Sequence, residues 1–232
     1  MWHKLVILGN KMSDPMTDFA TRRRTMVDTQ IRPSDVTKFP IIDAMLTVQR
    51  ENFVPNARRE AAYVEGLIDL GGGRCILEPR TLAKMLDELN ITNDEAVLDI
   101  APALGYSTAI AAHMAQLVVA VEEDEVLAAE AQTALMEADA DNAIVHVGPL
   151  DQGATEHGPY DVIMIQGGVE QVPETLIAQL KDHGRIICLF VEGALGTVRI
   201  GRKSGGRVTW RRAFNANAPI LKAFSKECAF SL

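Results

Sequence analysis

From about residue 95, short apolar runs alternate with stretches of helical spacing. The runs are AVLDIA (96–101), LVVAVE (117–122), AIVHVG (143–148), YDVIMIQG (160–167) and GRIICLFV (184–191). Between them lie YSTAIAAHMAQ, DEVLAAEAQTALMEA and PETLIAQLKD. A strand with one wet face alternates polar and apolar positions, whereas these runs are continuously apolar. They predict a parallel sheet covered by helices on both faces. LGTVRIGRK and RVTWRRAFN then flank the glycine-rich SGG, which predicts a closing β-hairpin. The expected sheet has about seven strands, five of them parallel and at least one antiparallel.

The first part of the chain reads as helical. Ile42, Met45, Leu46 and Val48 recur near helical spacing, and Pro55 closes the segment. Gly71, Gly72 and Gly73 forbid regular helix or strand and predict a loop. Pro79 suits the first turn of a helix over PRTLAKMLDELN, because the N–H it lacks would have no partner there. The expected organisation is one domain over 16–232, with a helical cap and substrate loop (16–94) before a ligand-binding sheet (95–232).

Composition narrows the class. The 232 residues carry a net charge of −8, 47% hydrophobic and 23% charged residues, as in an ordinary globular chain. An acidic chain has no electrostatic reason to seek nucleic acid or an anionic membrane, and Arg22–Arg23–Arg24 reads as a solvated helix face. Cys75, Cys188 and Cys228 are far apart, with no CxxC pair, which fits a reducing cytoplasm and no zinc site. His3, His113, His146, His157 and His183 are scattered without metal-ligand spacing, so no metal is expected. No apolar run approaches the ~20 residues that cross a bilayer. The opening MWHKLVILGNKM lacks the features of a signal peptide. Met12 or Met16 is an alternative start, and residues 1–15 are expected to be disordered or extraneous.

Ligands of open α/β sheets sit at the carboxyl ends of the strands. The first strand of the series ends in LDIAPALGY, and the second in AVEEDE, which places Glu122 just past its end. A carboxylate there can accept hydrogen bonds from both hydroxyls of a ribose, while some of Glu123, Asp124 and Glu125 serve the N-terminus of the next helix. A dinucleotide demands G-x-G-x-x-G, and those glycines are missing. S-adenosylmethionine has no phosphate and demands less of the turn.

The residues resemble the protein-L-isoaspartate O-methyltransferases over roughly residues 20–195. MVDTQIRPSDV…IIDAMLTVQRENFVP, AAYVEGLIDLGGGRCILEP, VLDIAPALGYSTAIAA, AVEEDEVLAAEAQTAL and GPYDVIMIQGGVEQVPETLIAQLKDHGRII fall in the family's order and spacing. The resemblance implies a three-layer, Rossmann-like class I methyltransferase fold with an N-terminal helical cap. It implies S-adenosyl-L-methionine as cofactor, held by Asp99, Ala101, Ala103, Gly105, Tyr106 and Glu122. It also implies an isoaspartate-bearing protein or peptide as substrate, methylated on its carboxylate for repair. Leu77 stands at the family's serine position beside the reacting carboxylate, Arg74 at its glutamine and Cys75 at its threonine. Arg74 is thus the candidate carboxylate clamp, with Glu78 facing solvent. Gly148-Pro149-Leu150 replaces Gly-Asp-Gly, leaving Asp151 as a substitute only with a shifted backbone. Left-handed φ at Ala101 or Ala103 would cost about 1–2 kcal/mol each, and Pro102 disfavours it, so the loop is expected to take a different path. Three functions fit: isoaspartyl repair methylation, methylation of another acceptor, and a non-catalytic binding module on the same fold.

Overall fold

The computed structural model describes residues 15–226. The expectations for the extreme N-terminus, and Cys228, lie outside them, although Pro15 already opens helix α1 (Pro15–Met26). One π-helical turn, Val27–Ile31, buries its first and last residues and leads to α2 (Phe39–Thr47). Arg23 departs from the expected solvated face. It bonds the Tyr63 hydroxyl (2.9 Å) and Glu51 (3.0 Å), tying α1 to the segment behind α2.

The three adjacent glycines do not form an open loop. They turn a small hairpin of β1 (Ile68–Gly71) and β2 (Arg74–Ile76), a two-stranded sheet separate from the main one. Gly71, Gly72 and Gly73 have φ of 81°, 60° and 80°, which explains the run of glycine and fixes Arg74 as the first residue of β2. Helix α3 (Pro79–Leu89) follows with Pro79 in its first turn, and its C-cap Asn90 is left-handed.

The main sheet contains β3 (Ala96–Ile100), β4 (Leu117–Glu122), β5 (Ala143–Val147), β6 (Tyr160–Val169), β7 (Leu180–Glu192), β8 (Leu195–Ser204) and β9 (Arg207–Asn215). Their order is β5-β4-β3-β6-β7-β8-β9. The first five are mutually parallel, and β8 and β9 are each antiparallel to the strand before. The hairpin turn is narrower than SGG: Ser204 pairs with Arg207, leaving Gly205 and Gly206 as a two-residue turn with φ of 56° and 79°. Helices α4 (Tyr106–Ala112), α5 (Glu125–Glu137) and α6 (Glu174–Gln179) occupy the connections.

Successive strand residues go to opposite cores. Val97, Val118, Val162, Met164 and Ile187 pack with the N-terminal helices, whereas Leu98, Val119, Ile163, Ile165 and Ile186 pack on the other face with Leu176, Leu221 and Phe224. Period-two placement with both faces buried yields the unbroken apolar runs. The strand order turns back at β3: β4 and β5 lie to one side, β6 and β7 to the other. The crevice of such a sheet opens at the carboxyl end of that strand.

Candidate cofactor site

β3 delivers Asp99, fully buried, one residue before its end. Its carboxylate accepts from Ser107 Oγ (2.6 Å), Thr108 Oγ1 (2.8 Å) and Gln166 Nε2 (2.9 Å). Burial pushes this carboxyl up to about 6, against the opposing effect of those three hydrogen bonds. Asp99 therefore ties the first turn of α4 to β6.

The loop 101–105 takes the left-handed route that glycine would allow, contrary to the expectation of a different path. Ala101, Ala103 and Gly105 have φ of 62°, 55° and 90°. Its hydrogen bonds explain how Pro102 is tolerated. The donors are Ala101 N to Val121 O (2.9 Å), Ala103 N to Glu122 Oε2 (3.1 Å) and Gly105 N to Pro102 O (3.0 Å), so proline supplies an acceptor where no donor is required. Tertiary bonds on both alanines override their local preference. The strain is about 1–2 kcal/mol per alanine.

Glu122 lies at the end of β4 and is fully buried. Four donors saturate it. Oε1 accepts from Arg74 Nη1 (2.6 Å) and Asp124 N (3.1 Å), and Oε2 from Arg74 Nη2 (2.5 Å) and Ala103 N (3.1 Å). Arg74, 11% exposed, thus grips the carboxylate expected to hold ribose, and is not free as an acceptor clamp. Burial opposes its charge, but the hydrogen bonds and charge of Glu122 outweigh it and hold Arg74 above its ordinary range. Asp124 caps α5 by accepting from Val126 N (2.9 Å) and Leu127 N (3.1 Å), as negative charge near a helix start favours.

Leu77 is buried and its carbonyl accepts from Arg50 Nη2 (2.9 Å). Arg50 was not singled out by its sequence context, since an arginine in QRENFVP carries no periodic signal. It is fully buried, donates from Nε to Ala62 O (2.8 Å), and lies 4.5 Å from the Tyr106 ring centroid. Arg50 Nη1 and the Tyr106 hydroxyl are both buried without a protein partner, and burial lowers the guanidinium pKa. Glu78 turns to Thr81, whose hydroxyl donates to it at 2.6 Å, and is only partly exposed. Gly148 N donates to Glu122 O (3.0 Å), which sets the turn after β5 beside the carboxylate's own backbone. Asp151 lies past that turn, its carbonyl accepting from Thr175 Oγ1 (2.5 Å) and its carboxylate from Gln152 Nε2 (3.1 Å).

The histidines are less scattered than their spacing suggests. His146 Nδ1 and His157 Nε2 lie 3.2 and 3.3 Å from Glu156 Oε1, and the three ligand atoms fall within 4.8 Å of one another, on a partly exposed surface. The three groups are thus close in space, which their spacing along the sequence does not reveal. A groove of about 360 Å³ between α2, α4 and α5 is lined by Gln49, Asn52, His113 and Glu137 and by none of the loop residues.

A sheet that turns back at β3, a left-handed loop at that strand's end, a buried carboxylate ending the next strand and antiparallel strands closing the sheet define the class I methyltransferase fold. The chain belongs to the protein-L-isoaspartate(D-aspartate) O-methyltransferase family, whose sequence profile matches residues 21–213. A protein-L-isoaspartate O-methyltransferase of Methylorubrum extorquens (strain PA1) is 34% identical over 175 residues, 75% of this chain and 76% of that one. A solved protein-L-isoaspartate O-methyltransferase superposes with a TM-score of 0.75 at 23% identity, over 86% of this chain and 65% of the other, so this chain spans just under two thirds of that protein's length. A putative one from Plasmodium falciparum, crystallised with S-adenosyl-L-homocysteine, superposes with a TM-score of 0.74 at 19% identity over 88% and 98% of the two chains. No helix among the described residues is long and apolar enough to cross a membrane.

Proposed function

We propose that this chain is an S-adenosylmethionine-dependent methyltransferase acting on the carboxylate of isoaspartyl residues in damaged proteins. The observation that carries the reading is the loop 101–105. It keeps a strained left-handed path without the glycines that would relax it, and aims the Ala103 N–H at buried Glu122. Strain of this kind persists where function requires a shape. The names of the relatives agree with the reading.

The residues fit the cofactor's nucleoside. A carboxylate accepts from two ribose hydroxyls, as Glu122 now accepts from two guanidinium N–H groups, and Ala103 N–H holds that carboxylate in place. Asp99, fixed by Ser107, Thr108 and Gln166, keeps the loop anchored between α4 and β6. When bound, S-adenosylmethionine supplies an electrophilic methyl group. The protein's part is positioning, because a carboxylate acceptor is already ionised near neutral pH and needs no general base. Leu77 offers no side-chain donor to that acceptor. Arg74 is engaged by Glu122, whereas Arg50 donates from Nη2 to the Leu77 carbonyl and leaves Nη1 without a partner.

Two measurements test the reading. Calorimetric titration with S-adenosylhomocysteine should show one site that Glu122→Ala weakens, and labelled methyl transfer should favour an isoaspartyl over an aspartyl peptide. Binding without transfer to the isoaspartyl peptide would point to another acceptor. No binding at millimolar ligand would leave a non-catalytic module.

A further inference from the structure

We infer that Arg74 is a built-in competitor for the ribose at Glu122, so that it sets the cofactor affinity of this chain. The inference rests on the proposed nucleoside role of Glu122. The guanidinium presents two parallel N–H groups to the two carboxylate oxygens, at 2.6 and 2.5 Å. A ribose diol would use the same two oxygens in the same way. The remaining hydrogen bonds to Glu122 come from backbone N–H groups of Ala103 and Asp124, which stay in place whichever partner occupies the front. The two partners therefore cannot be accommodated together on those atoms.

Three features separate this pair from an ordinary structural salt bridge. Glu122 stands at the ligand position of the fold, at the carboxyl end of β4 and beside the loop after β3. Arg74 reaches it from the β1–β2 hairpin, which forms its own sheet and is not hydrogen-bonded into the main one as a strand. The grip is incomplete on the arginine side, where Nε is buried with no partner. Withdrawal of Arg74 needs a rotation of its own side chain, with Cys75 and Ile76 of β2 staying in the core and the loop 101–105 as it is.

A protein whose binding-competent state is populated only in part binds its ligand more weakly by that fraction. Removing the competitor should therefore tighten binding. The test is calorimetric titration of the full chain with S-adenosylhomocysteine, in wild type and in Arg74→Gln, with thermal melts of each in the presence and absence of ligand. The expected result is binding at least tenfold tighter in Arg74→Gln, together with a lower melting temperature without ligand and a larger ligand-induced rise. If Arg74→Gln does not fold, Arg74→Lys replaces it. Lysine keeps the charge but loses the fork, and should still bind more tightly than wild type. Equal or weaker binding by a folded variant, with wild type binding measurably, would overturn the competition while leaving the nucleoside site intact. Absence of binding in wild type and variant alike would overturn both the competition and the function it rests on.

Discussion

Replacing Ala103 with glycine isolates the cost of the loop's path. Ala103 is fully buried with φ of 55°. Glycine relieves about 1–2 kcal/mol of left-handed strain. Against this stand a lost buried methyl group, about 0.8 kcal/mol, and the greater freedom of glycine in the unfolded chain, about 0.5–1 kcal/mol. The two sides nearly cancel, so Ala103→Gly should change stability by less than about 1 kcal/mol. Ala111 is the control. It is also fully buried but lies within α4 and is not among the residues of positive φ. With no strain to relieve, Ala111→Gly should cost about 2 kcal/mol, from the methyl group and the helix propensity of glycine. Urea unfolding followed by circular dichroism reads the difference as a shift in midpoint at constant slope. If Ala103→Gly proves as costly as Ala111→Gly, the loop carries no such strain, and the observation supporting a shaped cofactor loop is lost.

Two further outcomes follow from buried groups. Burial raises the Asp99 carboxyl from 3.8 to about 6, so the folded chain holds that proton more tightly than the unfolded one. The stability this contributes is full below pH ~4 and is lost as the pH rises through ~6. Relative to Asp99→Asn, wild type should therefore gain about 2 kcal/mol between pH 7 and pH 4.5; an unchanged difference in urea-unfolding free energy would contradict the shift. Cys75 and Cys188 are buried, 2% and 0% exposed, and burial pushes the Cys75 thiol up to about 11. In a Cys228→Ser background at pH 8, neither should react with a thiol reagent unless denaturant is added. Labelling of Cys75 at the rate of a free thiol would show that β2 opens in the native chain.

The sheet was legible because its signal is local: a strand buried on both faces must be apolar at every position, and Val97 and Leu98 show the two cores that require it. The Pro79 start of α3 and the glycine turn of the last hairpin were legible for the same reason. What escaped is long-range. Ala101 and Ala103 lean locally away from left-handed φ, but bonds to Val121 and Glu122, about twenty residues on, hold them there. Arg74 and Glu122 could each be named as candidates, yet nothing in a separation of 48 residues says that one grips the other. Arg50 has no neighbour pattern that marks burial, and His146 meets His157 only because the turn after β5 folds back. The hairpin of β1 and β2 was hidden by its glycines, which mark a turn equally well with or without paired flanks.

The most direct test of the account is a crystal structure of the chain grown with millimolar S-adenosylhomocysteine. The account predicts the ribose hydroxyls on Glu122, the loop 101–105 unchanged, and Arg74 withdrawn from the carboxylate. A nucleoside bound elsewhere, with the Arg74–Glu122 pair intact, would contradict it.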